Sequence, residues 1–157
     1  MDVDAYERRA RTGPCFVCEV LAGNPDSPGR IVYADEHAVA LLARWPTLLG
    51  TTLVAPRRHL ERVTADFTVE EYLRLQRLVW RVGEALRREV PTERLYVLSL
   101  GSQQGNRHVH WHVAALPPGV PYREQQLAAL DAAARGVVVL PDDQESDLAR
   151  RIAARLA

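Results

Sequence analysis

Arg107-His108-Val109-His110-Trp111-His112-Val113-Ala114-Ala115-Leu116 is the stretch on which the reading of this chain turns. Three of the chain's five histidines stand at alternate positions within it. Successive side chains of a β-strand point to opposite faces, so a strand here sends all three imidazoles out of one surface. Val109, Trp111 and Val113 then face the other way, as a core-facing row does. Imidazole serves near neutral pH as nucleophile, proton carrier or metal ligand. The row is therefore a candidate reactive surface.

Outward from this strand, Arg94 to Leu100 reads as its predecessor, joined to it by the polar loop Gly101 to Asn106, and Pro117-Pro118-Gly119 closes it. Upstream, Thr68 and Glu71 match a capping box. Tyr72, Leu75, Val79, Val82 and Leu86 then recur at steps of three and four, which predicts an amphipathic helix ending near Val90-Pro91. Ile31 to Tyr33 and Ala38 to Ala43 predict a hairpin around Asp35-Glu36, and Thr51 to Ala55 a third strand. Short helices are expected over Asp4 to Arg11 and Phe16 to Ala22, and the Asn24 to Gly29 stretch is turn chemistry. Tyr122 to Arg135 reads as a helix, Val137 to Leu140 as a short strand and Asp147 to Leu156 as a last helix. Strands in consecutive pairs with helices between the groups favour an α+β domain on an antiparallel sheet.

At 157 residues the chain is one domain's worth, read as 1–157 with a core of about 14–117 and a C-terminal extension of about 120–157. Arginine plus lysine equals aspartate plus glutamate at 20 each, so nothing draws the molecule as a whole to a nucleic acid polymer. Every one of those basic residues is arginine. No apolar run has the roughly 18–20 residues of a membrane span, and the acidic start Met1-Asp2-Val3-Asp4 does not read as a secretory signal. The expectation is a cytoplasmic protein.

The residue types leave several chemistries open. Cys15-x-x-Cys18 is half of a tetrahedral metal site, whose remainder must come from histidines, but it equally suits a redox pair or two buried thiols. A neutral imidazole at His110 could attack phosphorus to give a phosphoramidate that water later cleaves, with a neighbouring histidine holding a phosphate oxygen. In the loop before the strand, Ser102, Gln104 and Gly105 offer hydroxyl, amide and backbone N–H groups for an anionic substrate. His-x-His on a strand is also a common metal element, though that reading lacks carboxylates between residues 94 and 116. Histidines merely hydrogen-bonded at a surface are the remaining possibility.

His108-Val109-His110-Trp111-His112-Val113-Ala114 resembles the signature of the histidine-triad (HIT) superfamily of nucleotidyl hydrolases and transferases. The resemblance extends over Pro14 to Val20, Ile31 to Ala40 and Leu49 to His59, in order and with a long helix in the right place. It implies a five-stranded antiparallel sheet carrying a long helix and shorter ones, and a homodimer. It implies a structural zinc ion on Cys15, Cys18, His59 and His108, as in the zinc-containing bacterial branch. It further implies that His110 is the nucleophile toward an α-phosphate and that His112 holds phosphate oxygens or assists the leaving group. The substrate so implied is a nucleotide, with adenine as the expected base. A nucleotide-binding regulatory module, or a metallohydrolase with its metal on the triad, is the alternative. The chain departs from the pattern at Gly50-Thr51, where many relatives have Gly-His, in Gln104-Gly105-Asn106-Arg107, and around Ser99-Leu100-Gly101. Those departures bear on the leaving group.

Overall fold

The computed structural model describes residues 3–101 and 107–157. Its strands are β1 (Ile31–Ala34), β2 (Ala38–Leu42), β3 (Thr52–Pro56), β4 (Arg94–Leu98) and β5 (Trp111–Leu116). They form one antiparallel five-stranded sheet in the order β1-β2-β3-β5-β4. The helices are α1 (Val3–Thr12), α2 (Phe16–Leu21), α3 (Val69–Glu89), α4 (Leu127–Leu130), α5 (Ala132–Arg135) and α6 (Asp142–Leu156). This is the α+β sheet that the sequence implies. No helix among the described residues is long and apolar enough to cross a membrane.

The long helix α3 starts where its capping box lies. The Thr68 hydroxyl accepts from the Glu71 N–H at 3.2 Å, and the Glu71 carboxylate accepts from the Thr68 N–H at 2.8 Å. Its apolar stripe, including Leu75, Val79, Val82 and Leu86, is buried against the sheet. Leu86 is wholly buried, and truncating such a side chain to alanine costs about 2–5 kcal/mol. At Gly83 a Cβ would stand 3.2 Å from Leu95 Cδ1, so the bare backbone lets α3 approach β4.

Period-two alternation sorts the sheet's faces. Ala40, Leu42, Val54, Trp111, Val113 and Ala115 pack under α3 and α6. On the opposite face Val39, Leu41, Leu53 and Ala55 meet Val17 of α2, whereas Ala114 and Leu116 meet Ala129 of α4. This second face is thus covered in two patches, and the histidine row emerges between them.

The structure differs from the sequence reading mainly at element ends and beyond residue 117. The ladder of the histidine strand begins at Trp111 rather than Arg107, because the Val109 N–H donates to the Leu60 carbonyl (2.7 Å) outside the sheet. The strand read to Leu100 ends at Leu98. The helix expected over Tyr122 to Arg135 breaks into a 3₁₀ turn (Tyr122–Glu124) and two short helices. Asp131 recaps the chain there, accepting from the Ala133 and Ala134 N–H groups. The expected strand at Val137 to Leu140 forms no ladder; its Val138 N–H donates to the Pro46 carbonyl at 2.7 Å. The last helix starts at Asp142, five residues early, with Asp142, Asp143 and Glu145 in its first turn, as the helix dipole favours.

Gly50 turns the chain into β3 at φ +75°, and a Cβ there would lie 3.2 Å from Leu86 Cδ2. The left-handed backbone costs a residue with a Cβ about 1–2 kcal/mol, so Gly50→Ala is expected to lower the free energy of unfolding by at least that amount. Denaturant midpoints of the two proteins check this, and equal midpoints would show that the turn carries no such constraint.

Candidate functional site

His108 is fully buried and both of its ring nitrogens are engaged. A carbonyl only accepts, so the contact of 2.9 Å between Nε2 and the Pro56 carbonyl places the ring proton on Nε2. The Nδ1 lone pair then faces two thiols, Cys15 Sγ at 3.3 Å and Cys18 Sγ at 3.7 Å. His59 follows the same rule: its Nε2 points to the Glu61 carboxylate at 3.3 Å, and its Nδ1 lies 3.4 Å from Cys18 Sγ. The four donor atoms lie within 4.8 Å of one another. The two Cys and two His side chains could hold a metal ion.

The fit can be judged from general coordination geometry. Zn–S bonds of about 2.3 Å and Zn–N bonds of about 2.0 Å put the corners of a tetrahedron about 3.3–3.8 Å apart. The three separations of 3.3, 3.4 and 3.7 Å given above lie within that range. Each histidine also has an outer acceptor on its second nitrogen, the Pro56 carbonyl for His108 and the Glu61 carboxylate for His59, the arrangement that orients imidazole ligands. Burial, then Cys15 and Glu19, push the Cys18 thiol up to about 11. A divalent cation is the partner that would offset this resistance to a thiolate.

His110 stands next along the chain and has a different neighbourhood. Its Nδ1–H donates to the carbonyl of His108 at 2.7 Å, which leaves the Nε2 lone pair free. The Ser99 hydroxyl donates to the His110 carbonyl at 2.8 Å and fixes the backbone. Phe16, the first residue of α2, meets the ring edge-on at 5.3 Å between centroids. The His112 ring lies 4.9 Å from that of His110. Burial holds His110 below the ordinary histidine range, against the opposing pull of its hydrogen bond to the His108 carbonyl. Burial, then the charge of His110, holds His112 at about 4. Both rings are therefore neutral at pH 7, as an attacking imidazole must be.

His110 and His112 line a cavity of about 330 Å³. Phe16, Leu41 and Leu53 form one side, and Leu98, Leu130 and Ala132 are also in its wall. None of the described residues lining it is a carboxylate. Leu130 and Ala132 come from the extension that carries no motif, so the sequence reading missed them; only their apolar character was visible. Arg107 turns away from the cavity to the Glu61 carboxylate at 3.0 Å, as its position in the alternation implies. His37 pairs with Glu36 and takes no part. Ser102, Gln104 and Gly105 lie outside the described residues.

Residues 24–118 match the HIT domain family. Protein hit of Bacillus subtilis is 33% identical over 104 residues, covering 66% of this chain and 70% of that protein. An uncharacterized HIT-like protein of Methanocaldococcus jannaschii is 31% identical over 101 residues, 63% of this chain and 76% of its own length. Among solved structures, a member of the HIT family from Bacillus subtilis is 25% identical with a TM-score of 0.60, covering 91% of this chain and 97% of that one. A Zn-bound histidine triad family protein from Mycobacterium smegmatis, 23% identical, superposes with a TM-score of 0.66 over 90% of this chain and 94% of that one. At that identity the likeness is one of fold.

Elemental analysis of the purified protein is expected to find about one divalent metal ion per chain, given four convergent donors. Cys15→Ser and Cys18→Ser should lose it, and His110→Ala should retain it. Metal lost on His110→Ala instead would put the ion on the triad's reactive side.

Proposed function

The chain belongs to the HIT domain family, and on that premise we propose that it is a nucleotidyl hydrolase or transferase working through a covalent nucleotidyl-histidine. The observation that carries this is the free Nε2 of His110, whose Nδ1–H is tied to the His108 carbonyl at 2.7 Å beside a cavity lined by no carboxylate among the described residues. A phosphoester or phosphoanhydride can approach such a wall without meeting negative charge.

In the first step His110 Nε2 forms a bond to the α-phosphorus. The bond from phosphorus to the departing oxygen or nitrogen breaks, and that atom leaves with the electron pair. His112, next to it, holds phosphate oxygens or assists the departing group. In the second step the oxygen of a water molecule bonds to phosphorus and gives up a proton to solvent, the P–N bond breaks, and the mononucleotide leaves as His110 regains its lone pair. Another acceptor in place of water makes the same chemistry a transfer. The apolar wall of Phe16, Leu41 and Leu53 suits a flat base, and an adenine nucleotide is the first to test. Ser102, Gln104 and Gly105 are proposed to meet the substrate from the loop before the triad.

Cys15, Cys18, His59 and His108 are proposed to hold zinc. With four protein ligands the site would be closed, and bound zinc would supply structure rather than a reactive position. It would fasten the start of α2 to the chain leaving β3 and to the approach of β5. Residues 1–157 are read as one domain, the extension after residue 118 being part of it because Leu130 and Ala132 line the cavity. A homodimer is also proposed: β4 is an edge strand with Val97 exposed, and α3 presents exposed Leu73 and Trp80, surfaces that a two-fold partner would cover.

A panel of diadenosine polyphosphates and adenosine 5′-phosphoramidate, with product identification, tests the reading. Release of AMP is expected from the wild type, with loss of at least about a thousandfold in kcat for His110→Ala, since a covalent path has no substitute nucleophile. Stopped during turnover, the wild type should carry an acid-labile, base-stable AMP adduct. With no lysine in the sequence, histidine is its natural seat. Full turnover by His110→Ala would remove the nucleophile assignment. Tight AMP binding without turnover of any substrate would mark a binding module instead.

A further inference from the structure

Arg44 follows β2, in a segment that forms a wall of two cavities at once. Arg44, Trp45 and Pro46 line the 330 Å³ cavity of His110 and His112, and they also line a neighbouring cleft of about 590 Å³. That cleft lies between the family-matched part of the chain and the extension, with Val138, Val139 and Leu140 on its far side. Arg44 is the sole arginine in the wall of the first cavity among the described residues. Arg30, the other arginine of the cleft, is committed to Asp142 and to Glu145. Arg44 has no carboxylate partner among the described residues; its guanidinium lies 4.9 Å above the Trp45 ring.

We propose that Arg44 is a specificity-determining residue that binds negative charge on the departing part of the substrate, with the adjoining cleft receiving that part. The inference rests on attack by His110 at the α-phosphate. A guanidinium attracted to an indole can still turn its N–H donors to a ligand, and those donors match the oxygens of a phosphate in pairs. No acid in the reactive cavity's described wall competes for it, and the two acids in the wall of the cleft, Asp142 and Glu145, are paired with Arg30. The substrate class that follows is a nucleoside polyphosphate, whose departing group carries further phosphates, in preference to a phosphoramidate that expels a neutral amine.

The experiment compares kcat/KM for diadenosine tetraphosphate and adenosine 5′-phosphoramidate in the wild type, Arg44→Gln and Arg44→Lys. The ratio of the first to the second is expected to fall about tenfold in Arg44→Gln, the worth of a charge-assisted contact. Arg44→Lys should recover part of that loss, and added salt should narrow the difference. A ratio within about twofold of wild type in Arg44→Gln overturns the assignment. Calorimetric titration with inorganic tripolyphosphate reads Arg44 without turnover: weaker binding in Arg44→Gln supports it and equal binding overturns it. Wild type that releases AMP from neither substrate would instead count against attack by His110, leaving the titration to decide on Arg44.

Discussion

His108 is the residue on which the rest of the site hangs, because each of its polar side-chain and carbonyl groups is engaged. One ring nitrogen donates to Pro56 at the end of β3, and the other faces the thiols at the start of α2. Its carbonyl takes the proton of His110. A group this deeply buried is costly unless its hydrogen bonds are satisfied. Burial, opposed by the Pro56 bond and aided by nearby His59 and His110, holds the ring at about 4, in the neutral form needed to offer a lone pair. The tautomer of His110 is therefore set by the backbone of the residue whose ring faces the thiols. Three segments far apart in sequence meet at one imidazole.

Much of this arrangement is legible in the amino-acid sequence because it is written in local, repeating signals. The capping box at Thr68 and Glu71 and the stripe through Leu86 predict α3 closely, since helix caps and apolar periodicity involve neighbours on one turn. The alternation from Val109 to Val113 separates core-facing side chains from the histidines: Val109, Trp111 and Val113 all join the core, although the ladder starts only at Trp111. The convergence of Cys15 and Cys18 with His59 and His108 is not local. The family's pattern implies it, whereas spacing alone leaves other pairings open.

What escaped the reading was contributed by segments whose meaning is purely tertiary. Arg44 is one of many arginines in the sequence, and only the two cavities on either side of its segment single it out. Leu130 and Ala132 look like ordinary helix residues; the break that sets them against the cavity arises from Asp131 recapping the chain. Gln126, just before α4, has φ 55° and is the one non-glycine residue with positive φ among those described. Its N–H donates to the Tyr96 hydroxyl at 2.8 Å, which ties the start of α4 to β4. A contact between residues 30 positions apart leaves no periodic trace.

The sheet's register also has a bearing on how the molecule assembles. β2 meets β3 over five residue pairs and β4 meets β5 over five, whereas β3 and β5 share three. That short central seam joins strands separated by the whole of α3, so its closure carries the largest chain-entropy cost in the sheet. Cys15, Cys18 and His59 precede α3 in sequence and His108 follows it. An ion shared by those four side chains would latch the two halves across the seam, at the slow, non-local step of folding. The donor cluster then belongs to the history of the fold as much as to its finished form.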